Sequence, residues 1–222
     1  MLTTPLVRLV DDDDALRNAL LFSLSMADLR AVGYESAEEF LRRDDPAVPG
    51  CVVMDIRMAG MAGLECHARM PSLGFDQPVV FLSGHGDIEM ALLAVKNGAA
   101  DFFTKPVDPE KLARAARELF AWNLDARRRS RERALARERV DALTPRELDV
   151  ALEAVKGDPN KVIAARLGVS EQAVKIHRSA VYAKLEVRSA VEIKAVLDAA
   201  GIPDAHAERG LLSGIEARLL SE

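Results

Sequence analysis

The stretch VRLVDDDDALR, residues 7–17, sets four consecutive aspartates directly behind an apolar run. Carboxylates so close raise one another's pKa and oppose folding unless something positive sits among them. A metal ion, a lysine, or plain water around a helix-capping loop would each answer that need. Other groups able to do chemistry stand at the ends of later apolar runs. Asp55 closes CVVMD, Ser83 closes VVFLS, and Thr104-Lys105-Pro106 follows ADFF. A different pattern lies near the C-terminus, where a short helix, Gly168-Val169-Ser170 and a second helix rich in Lys and Arg follow one another. Helix, glycine turn and helix is the arrangement that places a second helix in the major groove of DNA.

The elements that must position the first set are strands. Apolar runs at residues 6–10, 29–34, 51–55, 79–83 and 100–104 alternate with segments of helical spacing. Leu16, Ala19, Leu20 and Ser23 define one such segment, and Ser36-Ala37-Glu38-Glu39 opens another with a capping box. Further helices are expected near 63–70 and 87–97, and Asp108-Pro109 starts a fifth with the aspartate as N-cap. Such alternation predicts an α/β fold: a five-stranded parallel sheet with helices on both faces. Ligands of open parallel sheets sit beyond the carboxyl ends of the strands. Asp11, Asp12, Asp55, Ser83 and Lys105 would all converge on that rim.

The segments LVDDDDALR, VVMDIRMAGMAGLE and VVFLSGHGDIEMALLAVKNGAADFFTKP together resemble the receiver domain of two-component response regulators, in order and spacing. The resemblance implies a flavodoxin-like receiver with Asp55 as phosphoacceptor, Ser83 as switch hydroxyl, Phe102 as switch aromatic and Lys105 as phosphate-binding lysine. It also implies Mg²⁺ (or Mn²⁺) held by Asp12, Asp55 and the backbone carbonyl of Arg57, with Asp11 acting through water. The chemistry is coherent, because a carboxylate attacks phosphorus in line only when the charge on the phosphoryl oxygens is offset. Asp13 and Asp14 are assigned instead to the start of the next helix, where the dipole favours negative charge. Two features qualify the match. Ala59 stands where the family usually has proline, which predicts a looser loop without loss of a chemical group. His85 borders the phosphoryl pocket, as in the FixJ-like branch, either to tune loss of the phosphoryl group or as a plain loop histidine.

The net charge of −5 conceals an asymmetry. Residues 1–121 hold 12 Lys and Arg against 19 Asp and Glu, whereas residues 122–200 hold 16 against 12. The halves should meet different partners. From Glu110 to Leu143 there is neither glycine nor proline, so the fifth receiver helix is expected to run on as a linker. The linker arginines fall on all sides, which predicts a solvated spacer rather than a nucleic-acid stripe. Beyond it, Thr144-Pro145-Arg146-Glu147 is a full helix start.

This block resembles the LuxR-type helix-turn-helix of FixJ/NarL response regulators. Val174, Val181 and Leu185 should face its core, leaving Lys175, Ile176, Arg178, Ser179 and Tyr182 outward. The resemblance assigns Lys175, Ile176 and Ser179 to bases, with Arg178 and Lys184 better placed for phosphates. Val162, Ala173 and Ala180 depart from the family pattern, and Ala180 removes a polar group from the DNA-facing helix. The tail carries Leu211, Leu212, Ile215, Leu219 and Leu220 on one expected helical face.

The expected organisation is a receiver over 1–121, a helical linker over 122–140, a helix-turn-helix domain over 141–200 and a tail over 201–222. The expected function is a response regulator transcription factor, not an enzyme. A sensor histidine kinase would phosphorylate it, and it would bind promoter DNA as a homodimer formed on phosphorylation, where it can meet RNA polymerase. Two other functions are disfavoured. A receiver that no longer turns over phosphate is disfavoured by the complete set Asp11, Asp12, Asp55, Ser83 and Lys105. A phosphatase or nucleotidase is disfavoured because no GxxxxGK[ST] loop or second catalytic constellation is present. No apolar run approaches the roughly 18 residues of a membrane span. Cys51 and Cys66, without metal-ligand spacing, predict reduced packing residues in a cytoplasmic protein.

Overall fold

A computed structural model of the chain describes residues 4–84, 93, 96 and 98–202. Apart from Leu93 and Lys96, the expected helix near 87–97 lies outside these residues, as do His85 and the apolar face at Leu211–Leu220. The chain divides into two compact units, residues 1–127 and 128–222.

The first unit is built on five parallel strands, β1 (Leu6–Val10), β2 (Ala31–Tyr34), β3 (Gly50–Asp55), β4 (Val79–Ser83) and β5 (Asp101–Thr104), in the order β2-β1-β3-β4-β5. Helices α1 (Asp14–Met26), α2 (Ala37–Arg43) and α3 (Gly63–Arg69) connect the first four strands, and a long helix α4 (Pro109–Asp141) follows β5. Each start has a chemical cause. Asp13 accepts from Ala15 and Leu16 N–H, Ser36 from Glu39 N–H, and Asp108 from Glu110 and Lys111 N–H. Alternate side chains of the strands feed two separate apolar clusters, one around Phe40, Met54 and Phe81 and the other around Leu9, Val53 and Leu112. Every residue of β3 is buried, as a central parallel strand covered on both faces requires.

Arg8 interrupts the apolar pattern of β1 and is nevertheless wholly buried. Its Nε donates to Asp44 Oδ2 at 2.7 Å, and Nη2 donates to the carbonyls of Asp45 at 3.1 Å and Val48 at 2.8 Å. Tyr34 Oη donates to the other Asp44 oxygen at 2.6 Å. The charge is therefore paired and its donors used, the condition on which an interior accepts an ion. Gly50, at φ 150°, is needed beside it, because a Cβ there would lie 2.0 Å from Leu6 O. Cys51 and Cys66 are buried and free, and burial pushes both thiols up to about 12.

The first part of α4 packs on this unit. Phe120 joins its core, Asn123 is fully buried, and Asn123 Oδ1 accepts from Gly50 N–H at 3.1 Å. Arg127 Nε donates to both oxygens of Asp76 at 2.9 Å, and Nη1 donates to Ala47 O. Residues expected to belong to a solvated spacer thus include two that hold the loops leading into β3 and β4. The arginine-rich composition concealed them, because only the fold brings Asp76 beneath the helix.

The second unit is helical: α5 (Pro145–Ala154), α6 (Asn160–Leu167), α7 (Glu171–Leu185) and α8 (Ala190–Ala199). The Thr144–Glu147 capping box is formed in both directions. Gly168 ends α6 in the left-handed region at φ 65°, and Ser170 caps α7 by accepting from Ala173 N–H. Val174, Val181 and Leu185 are all 0% exposed. Ala136 and Val140, on the last turns of α4, belong to the same core as Val181 and Leu185.

Candidate functional site

Parallel pairing sets the strand ends level and so assembles the acidic centre. Val10 of β1 pairs with Met54 of β3, Asp55 with Leu82 of β4, and Ser83 with Thr104 of β5. Asp11, Asp12 and Asp55 can each offer a carboxylate oxygen within 4.8 Å of the others. Lys105 Nζ enters this group, donating to Asp55 Oδ2 at 2.7 Å and to Asp11 Oδ2 at 2.9 Å. Its backbone N–H donates to Ser83 O at 2.8 Å, which ties the lysine to the end of β4.

The three carboxylates differ in surroundings. Asp11 is fully buried and also accepts from Asp13 N–H at 2.9 Å. Asp55 is buried and accepts from Arg57 N–H at 3.1 Å. Asp12 is exposed and accepts from Ala59 N–H at 2.9 Å. Burial lifts the Asp55 carboxyl above its ordinary range, against the opposing pull of Lys105 and the Arg57 amide. For Lys105 burial works against the charge, but its bonds to Asp55 and Asp11 hold the ammonium above its ordinary value. One ammonium cannot neutralise three carboxylates, and an all-oxygen donor set suits a hard divalent cation. The donor chemistry therefore fits such an ion.

Gly63 keeps this floor open, because a Cβ there would lie 2.1 Å from the Asp55 carbonyl oxygen. Ser83 is buried, with its hydroxyl 3.5 Å from Phe103 O. Phe102 pairs in register with Phe81 and packs half-buried against the core beside it. Arg57 lies just past Asp55 with its side chain exposed. The fold thus brings Asp11, Asp12, Asp55, Ser83 and Lys105 to one rim. Asp13 and Asp14 belong to the start of α1 instead.

Helix α7 presents Lys175, Ile176 and Ser179 to solvent, Ile176 being 60% exposed. Arg178 is half-buried, donating to Asn160 Oδ1 at 2.8 Å and Tyr182 Oη at 2.9 Å, with its guanidinium over the Tyr182 ring. Lys184 donates to Glu147 Oε2 at 2.7 Å. Hydrogen bonds from Lys184 and the Thr144 amide hold the Glu147 carboxyl below its ordinary range. Sequence reasoning missed both internal partners, since Asn160 and Glu147 carry helix-start signals and no hint of a distant cation.

The chain thus joins an acidic centre at one rim of a parallel sheet to a helical unit with a glycine turn between α6 and α7. Residues 7–117 match the response regulator receiver domain family, and residues 141–197 match the bacterial regulatory proteins, luxR family. The chain belongs to the FixJ/NarL-type response regulators. It is 34% identical to nodulation protein W of Bradyrhizobium diazoefficiens over 209 residues, covering 93% of this chain and 91% of that one. With the transcriptional regulatory protein FixJ of Azorhizobium caulinodans it shares 35% identity over 199 residues, 90% of this chain and 94% of the relative. The solved response regulator StyR superposes with a TM-score of 0.78 at 33% identity, covering 88% of this chain and 99% of that structure. The protein is therefore a transcription factor rather than an enzyme, with a sensor kinase and DNA as its partners. Receiver domains bind Mg²⁺ at an acidic pocket of the kind formed by Asp11, Asp12 and Asp55. Among the described residues no helix is long and apolar enough to cross a membrane.

Proposed function

We propose that Asp55 accepts a phosphoryl group from a sensor histidine kinase, and that this drives pairing of two chains on promoter DNA in the cytoplasm. The observation that carries the reading is the bond between Lys105 Nζ and Asp55 Oδ2, at 2.7 Å, inside the acidic cluster. Asp55 presents a carboxylate oxygen to phosphorus, the P–N bond to the kinase histidine breaks, and a P–O bond to Asp55 forms. Lys105 is placed to exchange its carboxylate partner for a phosphoryl oxygen. Asp11, Asp12, Asp55 and the Arg57 carbonyl would hold Mg²⁺ or Mn²⁺. When bound, the ion supplies the positive charge that offsets the phosphoryl oxygens.

Ser83 and Phe102 carry the change outward on this reading. The Ser83 hydroxyl turns to the new oxygens, and Phe102, already half-buried, moves further in, so that the face around β5 alters. Pairing there brings two copies of α7 to adjacent half-sites and raises their effective concentration without any new DNA contact. Lys175, Ile176 and Ser179 would meet bases. Arg178, Tyr182 and Lys184 would support the phosphate side, and a promoter-bound dimer can meet RNA polymerase. The domain limits that go with this reading are a receiver over 1–121, a linker over 122–140 whose first residues, Asn123 and Arg127 among them, pack on the receiver, a DNA-binding domain over 141–200 and a tail over 201–222.

Incubation with acetyl phosphate and Mg²⁺ should give an acid-stable, base-labile adduct, absent from Asp55→Asn, together with a shift from monomer to dimer and tighter operator binding. Labelling that persists in the variant would place the chemistry elsewhere. Tighter DNA binding by the isolated C-terminal fragment than by the full unphosphorylated chain would replace pairing with masking.

A further inference from the structure

Asp12 is the one member of the acidic cluster that Lys105 does not reach, and it is also the exposed one. Among the described residues its carboxylate has a single hydrogen bond, from the backbone N–H of Ala59 to Oδ2 at 2.9 Å. Ala59 lies in the loop between β3 and α3, and the far side of that loop is held as well. Gly63 N–H donates to Ile56 O at 3.0 Å, and Met61 N–H donates to Oε1 of Glu38 at 2.8 Å. Glu38 stands in the first turn of α2, and Gly60, between the two donating amides, takes φ 80°. The turn at Gly60 sends successive loop amides to different carboxylates, Ala59 to Asp12 and Met61 to Glu38.

We propose that the Ala59 amide and Glu38 are positioning groups for the cation site. Glu38 fixes the loop, and the loop's Ala59 amide fixes Asp12 by one oxygen, leaving the other for the ion. The proposal rests on the reading of Asp11, Asp12 and Asp55 as cation ligands. Its physical basis is that a ligating carboxylate is itself held by outer hydrogen bonds, and a ligand already ordered loses less freedom on binding. An amide does this without cancelling the charge that attracts the ion, whereas a second lysine would compete with the metal. The expectation that Ala59 merely loosens the loop overlooked its N–H, the group that proline lacks.

The test is titration of the full chain with Mg²⁺ by calorimetry, with the Ala59 amide followed by NMR. Ala59→Pro removes the donor and should weaken Mg²⁺ about tenfold. Ala59→Ser keeps the donor and should stay within about twofold of the wild type. Glu38→Ala should weaken binding about threefold, and Glu38→Gln, which retains an acceptor oxygen, should restore it. The Ala59 amide should remain protected from exchange when the wild type is saturated. Unchanged or tighter binding in Ala59→Pro, or an amide that loses protection on saturation, overturns the proposal, because the amide would then be idle or a competitor. If Ala59→Pro does not fold, equal affinities of Glu38→Ala and Glu38→Gln decide against it. A wild type that binds no Mg²⁺ overturns the cation reading itself and this proposal with it, whereas wild-type binding with unaffected variants overturns only the positioning.

Discussion

Lys105 and Asp55, 50 residues apart in the chain, meet with Nζ 2.7 Å from Oδ2, and Nζ reaches Asp11 Oδ2 as well. The lysine holds together two acids that burial and mutual repulsion would otherwise separate.

Even with that bond, Asp55 is a residue kept at a cost to stability. Its folded pKa lies above the unfolded value because burial outweighs its hydrogen bonds. A group so shifted contributes favourably below the unfolded pKa, about 4 for Asp, and that contribution is lost as pH rises through the folded value. Asp55→Asn keeps the shape, removes the charge, and leaves Lys105 paired with Asp11. It should raise unfolding free energy at pH 7 by about 1 kcal/mol, with the gain vanishing below about pH 4. Urea melts at both pH values check this; a variant clearly less stable than wild type at pH 7 contradicts it.

Glu147 behaves in the opposite sense. Bonds from Lys184 and the Thr144 amide lower its folded pKa, so its contribution is present above the unfolded value near about 4.3 and is lost as pH falls through the folded one. Glu147→Ala should cost about 1 kcal/mol at pH 7, mainly through the capping box, since Lys184 is partly solvated. The difference should close in acid. Hydrogen exchange of the α7 amides at pH 7 and at acid pH reads it directly, and a gap that widens in acid would refute the assignment.

On α7, Lys175 and Arg178 should respond differently to truncation. Lys175 is exposed and loosely paired with Glu171 at 3.4 Å, so Lys175→Ala should leave stability within about 0.5 kcal/mol and weaken operator binding about tenfold. Arg178 bridges Asn160 and Tyr182 inside the domain. Arg178→Ala should therefore lower stability by about 1 kcal/mol as well as DNA affinity. Salt-dependent binding curves beside thermal melts separate the two, and identical behaviour of both variants would show the distinction to be wrong.

A chain ending at Ala121 should form a poorer receiver than one ending at Arg127. The shorter chain loses Asn123, which pairs Gly50 N–H, and Arg127, which holds Asp76 and the Ala47 carbonyl. The longer chain should be more stable by about 2 kcal/mol in urea, much of it from the buried amide. Equal midpoints would mean that these bonds add nothing.

How far the sequence announced this molecule depends on the kind of signal. Strand ends, caps and the glycine turn are local, so Asp11, Asp55, Ser83 and Lys105 could be placed at one rim and Val174, Val181 and Leu185 in a core before any coordinates. Arg8 was hidden because β1 reads as apolar, and its acceptors are the Asp44 carboxylate and carbonyls of a distant loop, which no local pattern ties to β1. Asn123 and Arg127 were hidden by composition, since a helix rich in arginine looks solvated until Asp76 is found beside it. Ala59 was judged by its side chain, although its contribution is the backbone donor.

The two buried cysteines have a consequence for experiment. With both thiols pushed up to about 12, almost no thiolate exists at neutral pH, and neither sulfur is accessible in the native fold. Alkylation of Cys51 and Cys66 can therefore proceed only when the sheet or its flanking helix opens. Their modification rates are two built-in clocks for such openings, one at the central strand β3 and one on α3, and they can be timed with and without a phosphodonor without introducing any foreign label.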